Sequence, residues 1–307
     1  MTDETHALDA LRTVRDLIRW GASRFNEAGL VFGHGTDNAL DEAFHLVLWS
    51  LHLPFDLPAV YLESALTAAE RSAALKLLQE RVRTRKPAAY LTGEAWFAGL
   101  AFAVDERVLV PRSPIAELIG ARFAPWLAGE PQTILDLCAG SGCIGIACAH
   151  AFEQASVDLA EIDAGAIELI QRNIARHGVA ERVRAVHGDL FGPLRGRRYD
   201  LVVSNPPYVP AREWEALAPE FKQEPRIALD GGADGMDVVE RILRQAPAHL
   251  TPHGLLVCEI GGSQDEFEAR FPRIPVAWPD FEHGGDGVFL IGAAELRGWL
   301  RAQDKAR

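Results

Sequence analysis

The 307-residue sequence predicts an α/β fold in which a doubly wound, mostly parallel sheet follows a small helical region. From Thr133 onward, short apolar runs such as TILDLC and YDLVVS alternate with helical patterns, as in parallel sheets that are covered on both faces. The first run leads through a glycine-rich turn directly into a helix. The last two runs, VAWPDF and GVFLIG, have only a loop between them, so the final pair of strands is predicted to be antiparallel.

Residues 1–86 are predicted to form a separate helical domain of about three helices. The first helix carries apolar residues at helical spacing from Leu11 to Phe25 and stops at Gly29. The second covers Asn38 to Leu51, and the third begins with the capping box Thr67-x-x-Glu70 and runs to Arg85. Between the first two lies FGHGTDN, residues 32–38, which is either a substrate-contacting loop or an ordinary helix connector.

Residues 87–114 are predicted to be a linker, and residues 115–307 the α/β domain. Within the linker, AWFAGLAFAV is typical of a short β-hairpin. The following stretch, RVLVPRSP, is predicted to be a strand that leads into a helix.

Composition favours a cytoplasmic protein without a metal centre. The N-terminus lacks a secretory signal, and no run approaches the ~18 apolar residues of a membrane span. The four cysteines include no C-x-x-C pair and no His/Cys grouping at metal-ligand spacing, so we expect small buried residues. A net charge of −12 disfavours stable binding of nucleic acid through phosphate contacts and mildly favours a basic partner. The sequence does not indicate an oligomeric state.

The turn DLCAGSGCIG predicts a site for an adenosine-containing cofactor. Gly140, Gly142 and Gly145 satisfy G-x-G-x-x-G between a strand and a helix, where backbone N–H groups can approach a ligand closely. Glu161 ends the next strand, and there it can accept hydrogen bonds from two ribose hydroxyls. A dinucleotide and S-adenosylmethionine both contain such a ribose.

Two observations favour S-adenosylmethionine over a dinucleotide. Asp136 precedes the loop, where its carboxylate could contact an ammonium group, which a dinucleotide lacks. The predicted antiparallel final strand pair also departs from the usual dinucleotide fold. Asp189, in HGDLF after the third strand, could bind the adenine amino group, or it could simply cap a turn.

SNPPY, at residues 204–208, follows the fourth strand and is a candidate catalytic motif. Ligands in such sheets bind beyond the carboxyl ends of the strands, so Asn205 to Tyr208 should lie beside the cofactor. The Asn205 side-chain oxygen and the Pro206 carbonyl can each accept one hydrogen of a planar amino group, which orients its lone pair toward a methyl donor. Tyr208 offers a flat face, and Pro206 and Pro207 stiffen the loop.

DLCAGSGCIG and SNPPYV at this separation resemble the class I S-adenosylmethionine-dependent methyltransferases, specifically the protein N5-glutamine methyltransferases, over roughly residues 12–291. The resemblance implies a Rossmann-like fold whose seven-stranded, mostly parallel sheet has an antiparallel last strand. It implies a catalytic role for Asn205, Pro206, Pro207 and Tyr208. The implied cofactor-binding residues are Asp136, Cys138, Ala139, Gly140, Ser141, Gly142, Glu161, Asp189 and Leu190. The pair Cys138-Ala139 departs from the more usual Gly-Thr or Cys-Thr.

Two branches of that family compete, one acting on the GGQ motif of peptide release factors and the other on large-subunit ribosomal protein L-three. Residues 15–43, which include FGHGTDN, and PRSPIAELI at 111–119 are similar to the ribosomal-protein branch. A basic ribosomal protein is therefore the expected partner. Adenine-N6 methylation of DNA suits the same motif, but residues 211–237 carry three basic against seven acidic residues. A non-enzymatic cofactor sensor is disfavoured by the intact SNPPY.

Overall fold

A computed structural model describes residues 10–127, 129–282 and 284–306 of the chain, which divide into two compact units. The first unit extends to Glu94 and also includes Ala218–Gln223. The second comprises Ala95–Leu217 and the chain from Glu224 onward. Within the described residues, no helix is long and apolar enough to cross a membrane.

The first unit is helical, and its helix boundaries follow capping residues. Thr13 and Thr67 each form a complete capping box, and the Asn38 side chain accepts the Asp41 N–H. Gly29, at φ +57°, ends the first helix as predicted. The helices are α1 Val14–Glu27, α2 Ala39–Ser50, α3 Ala68–Thr84 and α4 Ala88–Thr92, with a short 3₁₀ helix at Ala59–Glu63 that the sequence did not predict.

A buried ion cluster holds the segment Ala218–Gln223 in this helical unit. Arg81 is fully buried, and its Nε lies 2.7 Å from Oε1 of Glu42. Glu220, also fully buried, pairs with Arg85 at 2.8 Å and accepts the Val31 N–H. Removing Arg81 would leave the Glu42 carboxylate buried without a cation, which is costly in a medium of low dielectric constant.

The predicted hairpin forms, but the strand predicted after it does not. Strands β1 Glu94–Phe97 and β2 Leu100–Ala103 pair around Gly99. Residues 107–114 are irregular, because prolines at 111 and 114 lack the N–H that a sheet requires and the Val110 N–H donates to Glu224 instead.

The second unit is built on a six-stranded sheet in the order β5-β4-β3-β6-β7-β8. Neighbouring strands from β5 to β7 are parallel, whereas β8 runs antiparallel to β7, as predicted for the end of the chain. The strands are β3 Thr133–Leu137, β4 Ser156–Glu161, β5 Val183–His187, β6 Tyr199–Ser204, β7 Leu250–Glu259 and β8 Val288–Gly292.

The prediction of seven strands is wrong by one within the described residues. VAWPDF contributes only a single antiparallel bridge, in which Ala277 and Leu290 exchange both backbone hydrogen bonds at 2.9 Å. Pro275 and Pro279 lie on either side of this bridge and have no N–H with which to extend the pairing.

Helices cover both faces of the sheet, which confirms the doubly wound α/β fold. Alternate residues of β3 enter different cores, with Ile134 packing with α6 and α7, and Leu135 with α9 and α11. The helices of this unit are α5 Ile115–Gly120, α6 Cys143–Ala151, α7 Ala164–Arg176, α8 Ala211–Trp214, α9 Asp237–His249, α10 Gln264–Arg270 and α11 Ala293–Ala306. The strand order reverses between β3 and β6, so a crevice for a ligand is expected at the carboxyl ends of these two strands.

Candidate active site

A cavity of about 510 Å³ lies at the expected edge of the sheet. Its walls come from the segments that follow β3, β4, β5 and β6, together with parts of the linker and of α9. The predicted site residues that line it are Cys138, Ala139, Gly140, Ser141, Glu161, Asp189, Leu190, Asn205 and Pro207. The described residues contain no group of three or more His, Cys, Asp or Glu side chains that could hold a metal ion.

The loop between β3 and α6 has a backbone that glycine makes possible. Gly140 and Gly142 have φ values of +55° and +80°, and Gly142 directly precedes the first residue of α6. Gly145 is required for a different reason, since a Cβ there would lie 2.1 Å from the Leu159 side chain. Cys138 also adopts a left-handed conformation, at φ +58°, which is uncommon outside glycine and asparagine and occurs often at functional sites.

Glu161 is a preoriented carboxylate at the end of β4. Its Oε2 accepts the Gly140 N–H at 2.9 Å, and its Oε1 accepts the backbone N–H groups of Ile162 and Asp163. The side chain is 9% exposed and lines the cavity. These three bonds fix the carboxylate in place and leave one of its about four lone-pair sites, on Oε2, for a donor from a ligand.

Asp136 lies beneath the glycine loop, and it is absent from the cavity lining. Its Oδ2 accepts the Gly145 N–H at 2.8 Å, which fixes the start of α6, while its Oδ1 has no hydrogen-bond partner among the described residues. Burial, together with the charge of Glu161, raises the pKa of the Asp136 carboxyl to about 8.

Asp189 and Leu190 line the cavity after β5. The Asp189 carboxylate pairs with Arg241 of α9, so it does not cap the following 3₁₀ turn, which has no side-chain cap. Leu190 is buried at φ +47°, a second non-glycine residue in the left-handed region at this edge of the sheet.

The NPPY loop is held by three glycines that come from two segments. A Cβ on Gly231 would lie 2.8 Å from the Pro207 carbonyl oxygen, and one on Gly235 would lie 2.2 Å from that of Tyr208. A Cβ on Gly261 would lie 2.7 Å from the Tyr208 ring. Backbone bonds from Val209 to Leu229 and from Gly231 to Val209 complete the attachment. The stretch LDGGADG therefore holds the NPPY loop so closely that only glycine fits at positions 231 and 235.

Within the NPPY loop, Asn205 and Pro207 face the cavity, whereas Pro206 is buried and Tyr208 is placed outside the lining. The Tyr208 hydroxyl donates to Oε1 of Glu259 at 3.3 Å.

Sequence reasoning missed Glu259 and Asn173. Glu259 ends β7, is 5% exposed, and accepts hydrogen bonds from the Tyr208 and Ser113 hydroxyls. Asn173 of α7 is fully buried, and its amide binds both the N–H and the carbonyl of Ala103 in β2 as well as the Ser141 carbonyl in the glycine loop. A glutamate that ends an apolar strand at the ligand edge of the sheet was a visible signal for Glu259, but nothing in the pattern around Asn173 distinguished it.

The sequence matches known proteins. Residues 123–232 match the model of the "Methyltransferase small domain" family. The chain is 53% identical to the ribosomal protein uL3 glutamine methyltransferase of Xanthomonas campestris over 94% of both chains, and 52% identical to that of Xylella fastidiosa over 94% of this chain and 93% of the relative. The chain belongs to the ribosomal protein uL3 glutamine methyltransferase family. It is accordingly an S-adenosylmethionine-dependent methyltransferase, which confirms the predicted enzyme class and cofactor.

A crystal structure of a methyltransferase from Pyrococcus furiosus is also similar, with 20% identity, a TM-score of 0.47, and coverage of 64% of this chain and 89% of that chain.

Proposed function

We propose that this member of the family transfers a methyl group from S-adenosylmethionine to the side-chain nitrogen of a glutamine in ribosomal protein uL3, in the cytoplasm. The observation that carries the proposal is the NPPY loop, which lies clamped beside a cavity that also contains a preoriented Glu161. High identity over nearly the whole length to enzymes named for this substrate supports the choice of protein.

The described residues fit the cofactor. The loop from Cys138 to Ser141 lines the cavity just before the start of α6, and the Glu161 carboxylate is fixed where its remaining lone pair can accept a ribose hydroxyl. Asp189 and Leu190 line the end of the cavity that follows β5, which suits them to adenine. Asp136 stays in the proposed set because its buried Oδ1 lacks a donor, and an ammonium group would be such a donor.

The cofactor supplies a methyl group on a positively charged sulfur. The protein orients the amide nitrogen, which is a poor nucleophile because its lone pair is delocalised. The Asn205 side-chain oxygen and the Pro206 carbonyl are proposed to accept its two hydrogens and to stabilise the positive charge that develops on it. Tyr208 is proposed to fix the plane of the amide from one side.

Surface charge supports a basic protein partner less strongly than the sequence count indicates. Of the seven acidic residues within 211–237, Glu220 and Glu224 are buried in ion pairs with arginines. Asp230 pairs with Arg226, and Arg270 binds both Asp234 and Asp237. Recognition of the substrate is proposed to depend more on residues 15–43 and 111–119, where Gly35 and Asp37 of FGHGTDN are exposed while His34 is buried against Phe221.

A transfer assay tests the proposal. S-adenosylmethionine labelled in its methyl group is incubated with the enzyme and, in separate reactions, ribosomal protein uL3, a peptide release factor and adenine-containing duplex DNA. Label is expected in uL3. Label in the release factor alone would assign the chain to the other substrate of the wider family, and label in DNA alone would refute a protein substrate.

A further inference from the structure

Three separate segments meet at one buried carboxylate behind the NPPY loop. Ser113 comes from the PRSP stretch that precedes α5, Tyr208 ends the motif, and Glu259 ends β7. The Ser113 hydroxyl donates to Oε2 of Glu259, and the Tyr208 hydroxyl donates to Oε1. Each carboxylate oxygen therefore binds one hydroxyl, and Glu259 joins the linker to the proposed catalytic loop.

The Tyr208 ring is restrained at two points. Along one edge it lies so close to Gly261 that a Cβ there would come within 3.0 Å of Cζ and of the hydroxyl oxygen. At its tip the hydroxyl is tied to Glu259. A ring that is packed against a glycine could still slide along it, so the hydrogen bond at the tip fixes the position of the ring along Gly261.

We infer that Glu259, anchored by the Ser113 hydroxyl, is a positioning residue for methyl transfer that holds the Tyr208 ring in register with Asn205. This inference rests on the proposed function, because the register matters only if the NPPY loop presents an amide. It also gives PRSP a role in the reaction, since Ser113 binds the same carboxylate as the Tyr208 hydroxyl.

The charges around Glu259 suit this role. Burial raises the pKa of its carboxyl to about 7, while Ser113, Tyr208, the Arg112 guanidinium and the Asn205 side chain lower it. Arg112 is itself held by a bidentate pair with Glu224. The ionised carboxylate offers one acceptor oxygen to each hydroxyl, whereas protonation turns one of those oxygens into a donor.

Three single variants test the inference, and Ser113→Thr serves as the conservative match to Ser113→Ala. Tyr208→Phe removes only the hydroxyl, Ser113→Ala removes the anchor, and Glu259→Gln removes the charge. Each is expected to lower kcat by about tenfold to a hundredfold, since small displacements of positioning groups have effects of that size. The dissociation constant for S-adenosylmethionine should stay near that of the wild type, and Ser113→Thr, which keeps the hydroxyl, should restore kcat.

The fold provides a control of the same chemistry. Tyr199 donates its hydroxyl to Asp158 at 2.6 Å, and both residues are buried away from the cavity lining. Tyr199→Phe therefore removes a tyrosine-carboxylate bond and should leave kcat unchanged at temperatures where the protein is folded.

The double variant Ser113→Ala/Tyr208→Phe decides the question. If Ser113 acts through Tyr208, the double variant should lose no more kcat than the worse of the two single variants. Unchanged kcat in Tyr208→Phe, or losses that multiply in the double variant, would refute the positioning role while the proposed function stands. A wild-type enzyme that methylates neither uL3 nor a release factor would overturn the proposed function together with the inference.

Discussion

Adding one methyl group at Gly261 should displace the Tyr208 ring without touching the cofactor cavity. The Cβ of Gly261→Ala would lie 2.7 Å from Cε2 of Tyr208, and Gly261 is absent from the cavity lining. Ordinary van der Waals contact begins near 3.4 Å, so the ring must retreat by about 0.7 Å to restore it. The ring cannot retreat freely, because its hydroxyl is bound to Glu259 and its backbone is clamped by Gly231 and Gly235.

The expected loss follows from that displacement. Misplacing a group in an active site by about 1 Å can cost about a hundredfold in rate, so a shift of this size predicts a fall in kcat of about tenfold to fiftyfold. The backbone contributes separately, since alanine at the φ of +52° found here costs about 1 kcal/mol in stability. The dissociation constant for S-adenosylmethionine should be unchanged.

Steady-state kinetics with uL3 measure kcat, and calorimetric titration with S-adenosylmethionine measures the dissociation constant. Gly262→Ala is the neighbouring control, because nothing lies within 4 Å of a Cβ there. Gly178→Ala reproduces the backbone strain alone, at φ +65° with no neighbour within 4 Å. Wild-type kcat in Gly261→Ala, or an equal loss in either control, would show that the position of the Tyr208 ring does not limit kcat.

Four further outcomes are expected. Glu161→Ala should weaken S-adenosylmethionine binding at least about tenfold in calorimetry, because three backbone N–H groups lose their acceptor; unchanged affinity would exclude Glu161 from the site. Asn205→Ala should lose most turnover in the transfer assay while cofactor affinity is kept, and equal loss of both would contradict its assignment to the amide. The kcat should fall as pH drops through about 7, because burial raises the pKa of Glu259 and protonation turns one of its acceptor oxygens into a donor. Glu259→Gln should remove this fall of kcat at low pH. If the fall persists in Glu259→Gln, another group causes it. Arg81→Met should lower the free energy of unfolding in urea by about 3 to 5 kcal/mol, because Glu42 stays buried without its cation while Glu220 keeps Arg85, whereas the exposed Arg83→Met should change it little.

Local signals predicted much of the fold. Capping residues such as Thr67 and Asn38 mark helix starts because they satisfy backbone N–H groups within a few residues of chain. Alternation of strands and helices was enough for the doubly wound sheet. The two errors, a strand at residues 107–114 and a full strand in VAWPDF, arose where apolar β-type residues outweighed the prolines among them.

Only those site residues that directly follow a strand could be predicted from the sequence. The glycine loop, Glu161 and the NPPY motif each follow a strand, so the rule for parallel sheets places them at one edge. The Ser113-Glu259-Tyr208 cluster joins residues up to 146 positions apart, and no local pattern encodes such a contact. Likewise, the sequence of residues 211–237 suggests an acidic surface, but arginines far away in the chain pair with some of its carboxylates.

In the proposed reaction, the NPPY loop presents a glutamine side-chain nitrogen of uL3 to the methyl donor. Fragmentation mass spectrometry of uL3 after reaction with the wild-type enzyme, and with Asn205→Ala as the matched control, locates the added methyl group directly. A single methyl group on a glutamine side chain, nearly absent from the control, is the predicted result. A methyl group on any other residue type, or one that persists undiminished in Asn205→Ala, would rule out this reaction.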